Sequence, residues 1–259
     1  MLHRSEKRNC NARSRCRCVN AWDAFGYDES DVADDPPQAV LPELRDAAAF
    51  SDARYHAQED NLDAESWQQI CRSLDERGYD TFAFLNTCFA CCMIAQGNHH
   101  NYYKTPVFPR PEGESGCVFD YTRLLFIRFA GEQPPQDAAS FAALYDQISG
   151  QISAQKENLP ASDLALMRRF PQPDQFRGDI VFSLTPETDL LAERFGDSMP
   201  QLRFLTSQTP GVALDMQIYG YHTGLYLNTV VPESLIDPAL TAQLHDEFLE
   251  TVKKFGGIL

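Results

Sequence analysis

The chain has 259 residues, 43% of them apolar and 11% aromatic, enough for one large domain or two small ones with a real core. Its 22 Lys and Arg stand against 37 Asp and Glu, a formal net charge of −15 that disfavours DNA, RNA and anionic membranes as partners. No apolar run approaches the roughly 18 residues of a membrane span, and no apolar stretch follows the basic start, so neither a spanning helix nor a secretory signal is expected.

Residues 1–18 carry six Lys and Arg and one acid without apolar periodicity, which predicts a disordered basic segment. Residues 19–60 are acidic, contain Pro36, Pro37 and Pro42, and read as an irregular linker. The ordered body is expected from near Leu62, so residues 61–259 form one unit. Asp63 caps a helix whose Trp67, Ile70, Cys71 and Leu74 recur at helical spacing and which Gly78 stops. A second helix opens at Thr81, with Phe82, Leu85, Cys88, Phe89 and Cys92 on one face, and ends at Gly97.

Strands are expected at Tyr102–Phe108 and, longer and more aromatic, at Cys117–Phe129. A helix follows over 137–156, carrying Phe141, Leu144, Tyr145, Ile148 and Ile152 on one side, then a shorter one over 161–169. Ile180–Ser183, Gln201–Leu205, Val212–Tyr221 and Leu225–Val231 read as strands. Asp237, Pro238 and Gly256 mark the start and end of a closing helix with Leu240, Leu244, Phe248, Leu249, Val252 and Phe255 as its apolar stripe. Helices interleaved with strands in this way give an α/β layer, a mixed sheet with helices packed on it.

Of the eight cysteines, Cys71, Cys88, Cys91 and Cys92 sit among apolar residues at helical spacing. They read as reduced core thiols of a cytoplasmic protein rather than a zinc site, because no second Cys or His pair follows at ligand spacing.

One segment carries a longer pattern. Ser207–Gln217 reads S-Q-T-P-G-V-A-L-D-M-Q, with Thr209 and Asp215 inside it. It is similar, at every fixed position, to the S-Q-T-P-x-V-x-L-D-x-Q motif of heterocyclisation domains, a subtype of the condensation domains of non-ribosomal peptide synthetases. Asp120-Tyr121-Thr122 resembles that family's D-F-T, Val181-Phe182-Ser183 its V-F-T, and Val107-Phe108-Pro109-Arg110, more loosely, its L-F-N-R. The order of elements agrees over about residues 40–256. Three positions depart: Phe119 stands where the family has Gly before D-F-T, Asn228-Thr229-Val230 where it has N-W-D, and Ser183 for the Thr of V-F-T. The N-terminal lobe, which in the family carries H-H-x-x-x-D-G or, in this subtype, D-x-x-x-x-D, reads as missing; His99-His100 lacks that motif's context and reads as a loop feature.

The resemblance implies the C-terminal lobe of a chloramphenicol-acetyltransferase-like fold, one of the usual two. It also implies amide formation followed by cyclodehydration of a carrier-bound Cys, Ser or Thr to a thiazoline or oxazoline, as in siderophore and other secondary-metabolite assembly. No cofactor or metal is implied. Phosphopantetheinyl carrier proteins are the implied partners. The other half of the tunnel would come from a separate N-terminal lobe or from a second copy of the chain; alternatively the chain is an inactive remnant or a carrier-binding module.

Asp215 is the expected acid/base, since loss of water needs a proton delivered to a leaving hydroxyl and another taken from nitrogen. Ser183 matches the family's hydroxyl beside it. Gln217, in phase with Asp215, either steadies the carboxyl or is a surface residue. Asp120 and Thr122 share one face of their strand and either line the channel or merely order the strand.

Overall fold

The structure, a computed structural model, describes residues 55–97, 100–107, 123–157, 179–185, 212–221, 224–233 and 236–257. Ten elements follow in order: β1 (Tyr55–Asp63), α1 (Ala64–Arg77), α2 (Thr81–Ala95), β2 (His100–Val107), β3 (Arg123–Ala130), α3 (Ala138–Glu157), β4 (Asp179–Thr185), β5 (Val212–Tyr221), β6 (Gly224–Pro232) and α4 (Pro238–Gly256). The strands make one mixed sheet in the order β1-β6-β5-β4-β2-β3. β5 and β6 form an antiparallel hairpin, β1 flanks β6 antiparallel, β4 runs parallel to both β5 and β2, and β3 returns antiparallel on β2.

Local chemistry explains the helix limits. Asp63 closes β1 and caps α1, accepting from the Ser66 N–H at 2.9 Å and from the Ser66 hydroxyl at 2.8 Å. Gly78 ends α1 in the left-handed region at φ 70°, where its N–H reaches the carbonyls of Leu74 and Asp75. Asp80 caps α2 through the Ala83 N–H, and Asp237 with Pro238 starts α4. The last glycine reads one place differently from expectation. Gly256 is the final helical residue, its missing Cβ letting α4 close on Ile70, and Gly257 at φ 91° is the left-handed cap.

One sheet face is covered by the helices. Phe182 of β4 stacks on Phe89 of α2 with centroids 4.5 Å apart and meets Phe248 of α4 at 5.9 Å. Tyr103 of β2 sets its edge on Phe89, and its hydroxyl donates to the Asn86 carbonyl at 2.8 Å. Phe141 of α3 stacks on Phe255 of α4, and Tyr79 stacks on Tyr145, whose hydroxyl accepts from the Asp80 N–H. α2 is apolar all round rather than on one face: every residue from Ala83 to Ile94 is buried, which makes it the central helix of the layer. Cys88, Cys91 and Cys92 lie inside it. Burial pushes the Cys91 thiol up to about 12 and the other two well above their ordinary value, so they pack as small apolar groups.

Two strand readings change. Residues 55–60, expected within the linker, belong to an edge strand that pairs with β6 from Tyr55↔Pro232 to Asp63↔Gly224. Its sequence lacks apolar alternation, and of its residues only Leu62 is buried, so the ladder with β6 and polar contacts hold it. The described part of the long strand expected at Cys117–Phe129 is β3, which runs on to Ala130. The expected helix at 161–169, the strand at Gln201–Leu205 and residues 1–54 lie outside the described residues.

Candidate functional site

The other face of the sheet carries the polar residues that the motifs single out. Alternation along β5 sends Leu214, Met216 and Ile218, all at most 1% exposed, toward the helices. Asp215, Gln217 and Tyr219 therefore leave the strand on the opposite side. The register fixes their neighbours. Asp215 lies between Val181 of β4 and Val230 of β6, and Gln217 lies between Ser183 of β4 and Asn228 of β6. The second row extends to Glu59 of β1, so Ser183, Gln217, Asn228 and Glu59 cross four strands in line. One step further on, Tyr219 and Tyr226 stack at 5.5 Å with ring planes 7° apart.

The structure thus brings Asp215, Ser183 and Gln217 together. Ser183 faces Gln217 directly and is one diagonal step from Asp215, roughly 8 Å between Cα atoms at ordinary strand spacing. Gln217, buried at 9% exposure, hydrogen-bonds the Asp215 carboxyl through its side chain. It is not a surface glutamine. Asp215 Oδ1 is shielded from solvent and has no hydrogen-bond partner among the described residues. Burial raises its pKa from 3.8 to about 6, against the smaller opposing pull of the Gln217 hydrogen bond. Such a carboxyl exchanges its proton near neutral pH and serves both as acid and as base.

Asp120, Thr122 and Thr209 lie outside the described residues. Reading the motifs missed Asn228, Tyr219, Tyr226 and Lys104, although alternation about Asp215 and across the hairpin could have found the first three. Asn228, at 4% exposure, belongs to the segment read as a departure from the family. Lys104 pairs with Val181, putting it in the Asp215 row one strand further along. It is buried at 7% exposure, with its ammonium 5.7 Å from the Phe126 ring centroid. Only the three-dimensional register shows that it shares this face.

No family model and no curated protein matches the chain. Solved structures do. The cyclization-docking bidomain of the non-ribosomal peptide synthetase EpoB from Sorangium cellulosum superposes with a TM-score of 0.63 at 16% identity, over 97% of this chain and 50% of that one. The PapA2 acyl transferase gives 0.65 at 13% identity, over 96% and 52%. The first condensation domain of the calcium-dependent antibiotic synthetase gives 0.54 at 14% identity, over 97% and 53%. The chain spans about half the length of the solved chains it matches, and its fold is that of one lobe of a condensation-like domain.

Proposed function

We propose that this chain is the C-terminal lobe of a condensation-type domain of the heterocyclisation subtype, and that Asp215 is its acid/base. The observation that carries the reading is the half-buried Asp215, whose Oδ1 is shielded from solvent, whose carboxyl Gln217 hydrogen-bonds, and whose pKa desolvation pushes up to about 6. The S-Q-T-P-x-V-x-L-D-x-Q pattern around it supports the subtype, and the solved cyclization bidomain supports the fold on which that pattern is used.

In this reading an amine of carrier-bound Cys, Ser or Thr attacks an upstream thioester carbonyl, and the carrier thiol leaves with a proton. The side-chain thiol or hydroxyl of the new amide then adds to its carbonyl carbon, giving a ring that carries one hydroxyl and one N–H. Protonated Asp215 gives its proton to the leaving hydroxyl. The C–O bond breaks, the nitrogen lone pair closes a C=N bond, and the Asp215 carboxylate takes the nitrogen's proton, so one water leaves and the acid is regenerated. Gln217 orients the carboxyl, and Ser183 and Asn228 flank the amide of Gln217 with hydrogen-bonding groups. Asp120, Thr122 and Thr209 join the same channel by their motifs.

A condensation tunnel has two walls. The complementary half is an N-terminal lobe or a second copy of this chain, with carrier proteins at the tunnel mouths. The test is mass spectrometry of loaded carriers incubated with this chain and its complementary half. Wild type releases amide and then the product lighter by one water. D215N is expected to stop at the amide, with dehydration slowed on the order of 100-fold or more. Equal dehydration by D215N contradicts the assignment.

A further inference from the structure

One buried polar group lies on the opposite, helix-covered side and takes no part in this chemistry. The Thr229 Oγ of β6 is 2.6 Å from Nε2 of His245 on α4. Nδ1 of His245 is 2.7 Å from Oδ2 of Asp60 on β1, and Gln58 Nε2 donates to the same oxygen at 2.8 Å. A carboxylate only accepts, so Nδ1 carries the imidazole proton and Nε2 accepts from the Thr229 hydroxyl. Neutral His245 is then satisfied at both ring nitrogens.

Hydroxyl, imidazole and carboxylate in line is the arrangement of a nucleophilic triad. Burial excludes that use. Thr229 and His245 are both 0% exposed, so no substrate atom reaches the hydroxyl, and only the Asp60 side chain, 37% exposed, meets solvent. What the bonded chain does reach is the backbone of β6. Thr229 sits between Asn228 and Val230, whose side chains leave on the far side of the sheet beside Gln217 and Asp215. The strand on the other flank of β6 is β1, which contributes one buried residue, Leu62, and whose Asp60 is the link to His245.

We infer that Asp60, His245 and Thr229 form a positioning relay, tying the edge strand and the closing helix to β6 and so fixing the row that holds the Gln217 amide on the Asp215 carboxyl. The relay's importance for turnover rests on the proposed role of Asp215; the mechanical coupling does not. Its removal loosens the β5–β6 row, admits water to Asp215 and lets that carboxyl titrate closer to an ordinary aspartate.

Carbon-13 NMR titration of the Asp215 carboxyl in the whole chain tests this, with melting temperatures measured alongside. T229V, which keeps the volume and drops the hydroxyl, and D60A are each expected to lower the Asp215 midpoint from the wild-type value by about half a pH unit or more. D60N, whose amide oxygen still accepts from His245, is expected to restore the wild-type midpoint. Lower melting temperatures in T229V and D60A with an unchanged midpoint would make the contact purely structural and overturn the inference, as would a D60N midpoint that follows D60A. If T229V does not fold, the D60A and D60N pair at the half-exposed end of the relay still decides. No reaction is measured, so failure of the relay leaves the proposed chemistry standing, and failure of the chemistry does not alter this result.

Discussion

Asp215 is half-buried with Oδ1 shielded and His245 is fully buried, and desolvation moves the two in opposite senses. Desolvation raises the Asp215 carboxyl toward its neutral form and lowers the His245 imidazole toward its neutral form, the latter against the pull of Asp60 and Asp246. The linkage signs follow. The unfolded chain binds fewer protons at Asp215 between about 3.8 and about 6, so that site's contribution to stability is whole below 3.8 and is lost as pH rises through 6. The unfolded chain binds more protons at His245 below the ordinary value of 6.5, so its contribution is whole above 6.5 and is lost as pH falls below it. D215N is therefore expected to be more stable than wild type at pH 8, by about 3 kcal/mol at most, and nearly equal to it at pH 4. Denaturant melts at the two pH values check this; a D215N variant less stable at pH 8 would contradict the desolvated carboxyl. These residues were unequally legible. The motif singled out Asp215, and alternation put Gln217 in phase with it. Asn228 was within reach of alternation across the hairpin, Lys104 joins them only through strand register, and His245 was indistinguishable from any other polar residue on the closing helix.

At the scale of elements, the two edges of the sheet are handled differently. Among the described strands β3 lies at an edge, and α3 shields it with two glutamines one helical turn apart. Gln155 accepts from the Phe126 N–H and donates to the Phe126 carbonyl, each at 2.8 Å, and Gln151 does the same at Arg128. Two side-chain amides at i and i+4 thus stand in for a neighbouring strand and satisfy backbone groups that would otherwise invite another chain. Replacing both by alanine is expected to cost on the order of 1–3 kcal/mol and to promote self-association through β3. Light scattering and urea melts read the two effects; an unchanged monomer of unchanged stability contradicts the capping role. The helix periods and caps were readable because apolar spacing and Asp, Pro and Gly punctuation are local signals. β1 was not, because its stability comes from the ladder with β6 and from Asp60, partners distant in sequence. The burial of α2 on all sides was likewise hidden, since a one-sided stripe and a central helix differ only in what packs behind them.

Across the whole molecule, interleaved helices and strands announced an α/β layer, and the S-Q-T-P motif narrowed it to a condensation-like lobe before any strand order was known. The order β1-β6-β5-β4-β2-β3 was beyond that reading, because parallel neighbours are set by crossovers rather than by adjacent sequence. That order matters for function. It leaves the four described helices on one side and gathers Asp215, Gln217, Ser183, Asn228 and Lys104 on the other, the side on which a second lobe is proposed to close a tunnel. The proposed chemistry requires one carboxyl to exchange its proton near neutral pH. Carbon-13 NMR titration of Asp215 in the wild-type chain measures it directly: a midpoint near 6 is predicted, and a midpoint at or below the ordinary aspartate value of 3.8 would contradict a buried acid/base at this position.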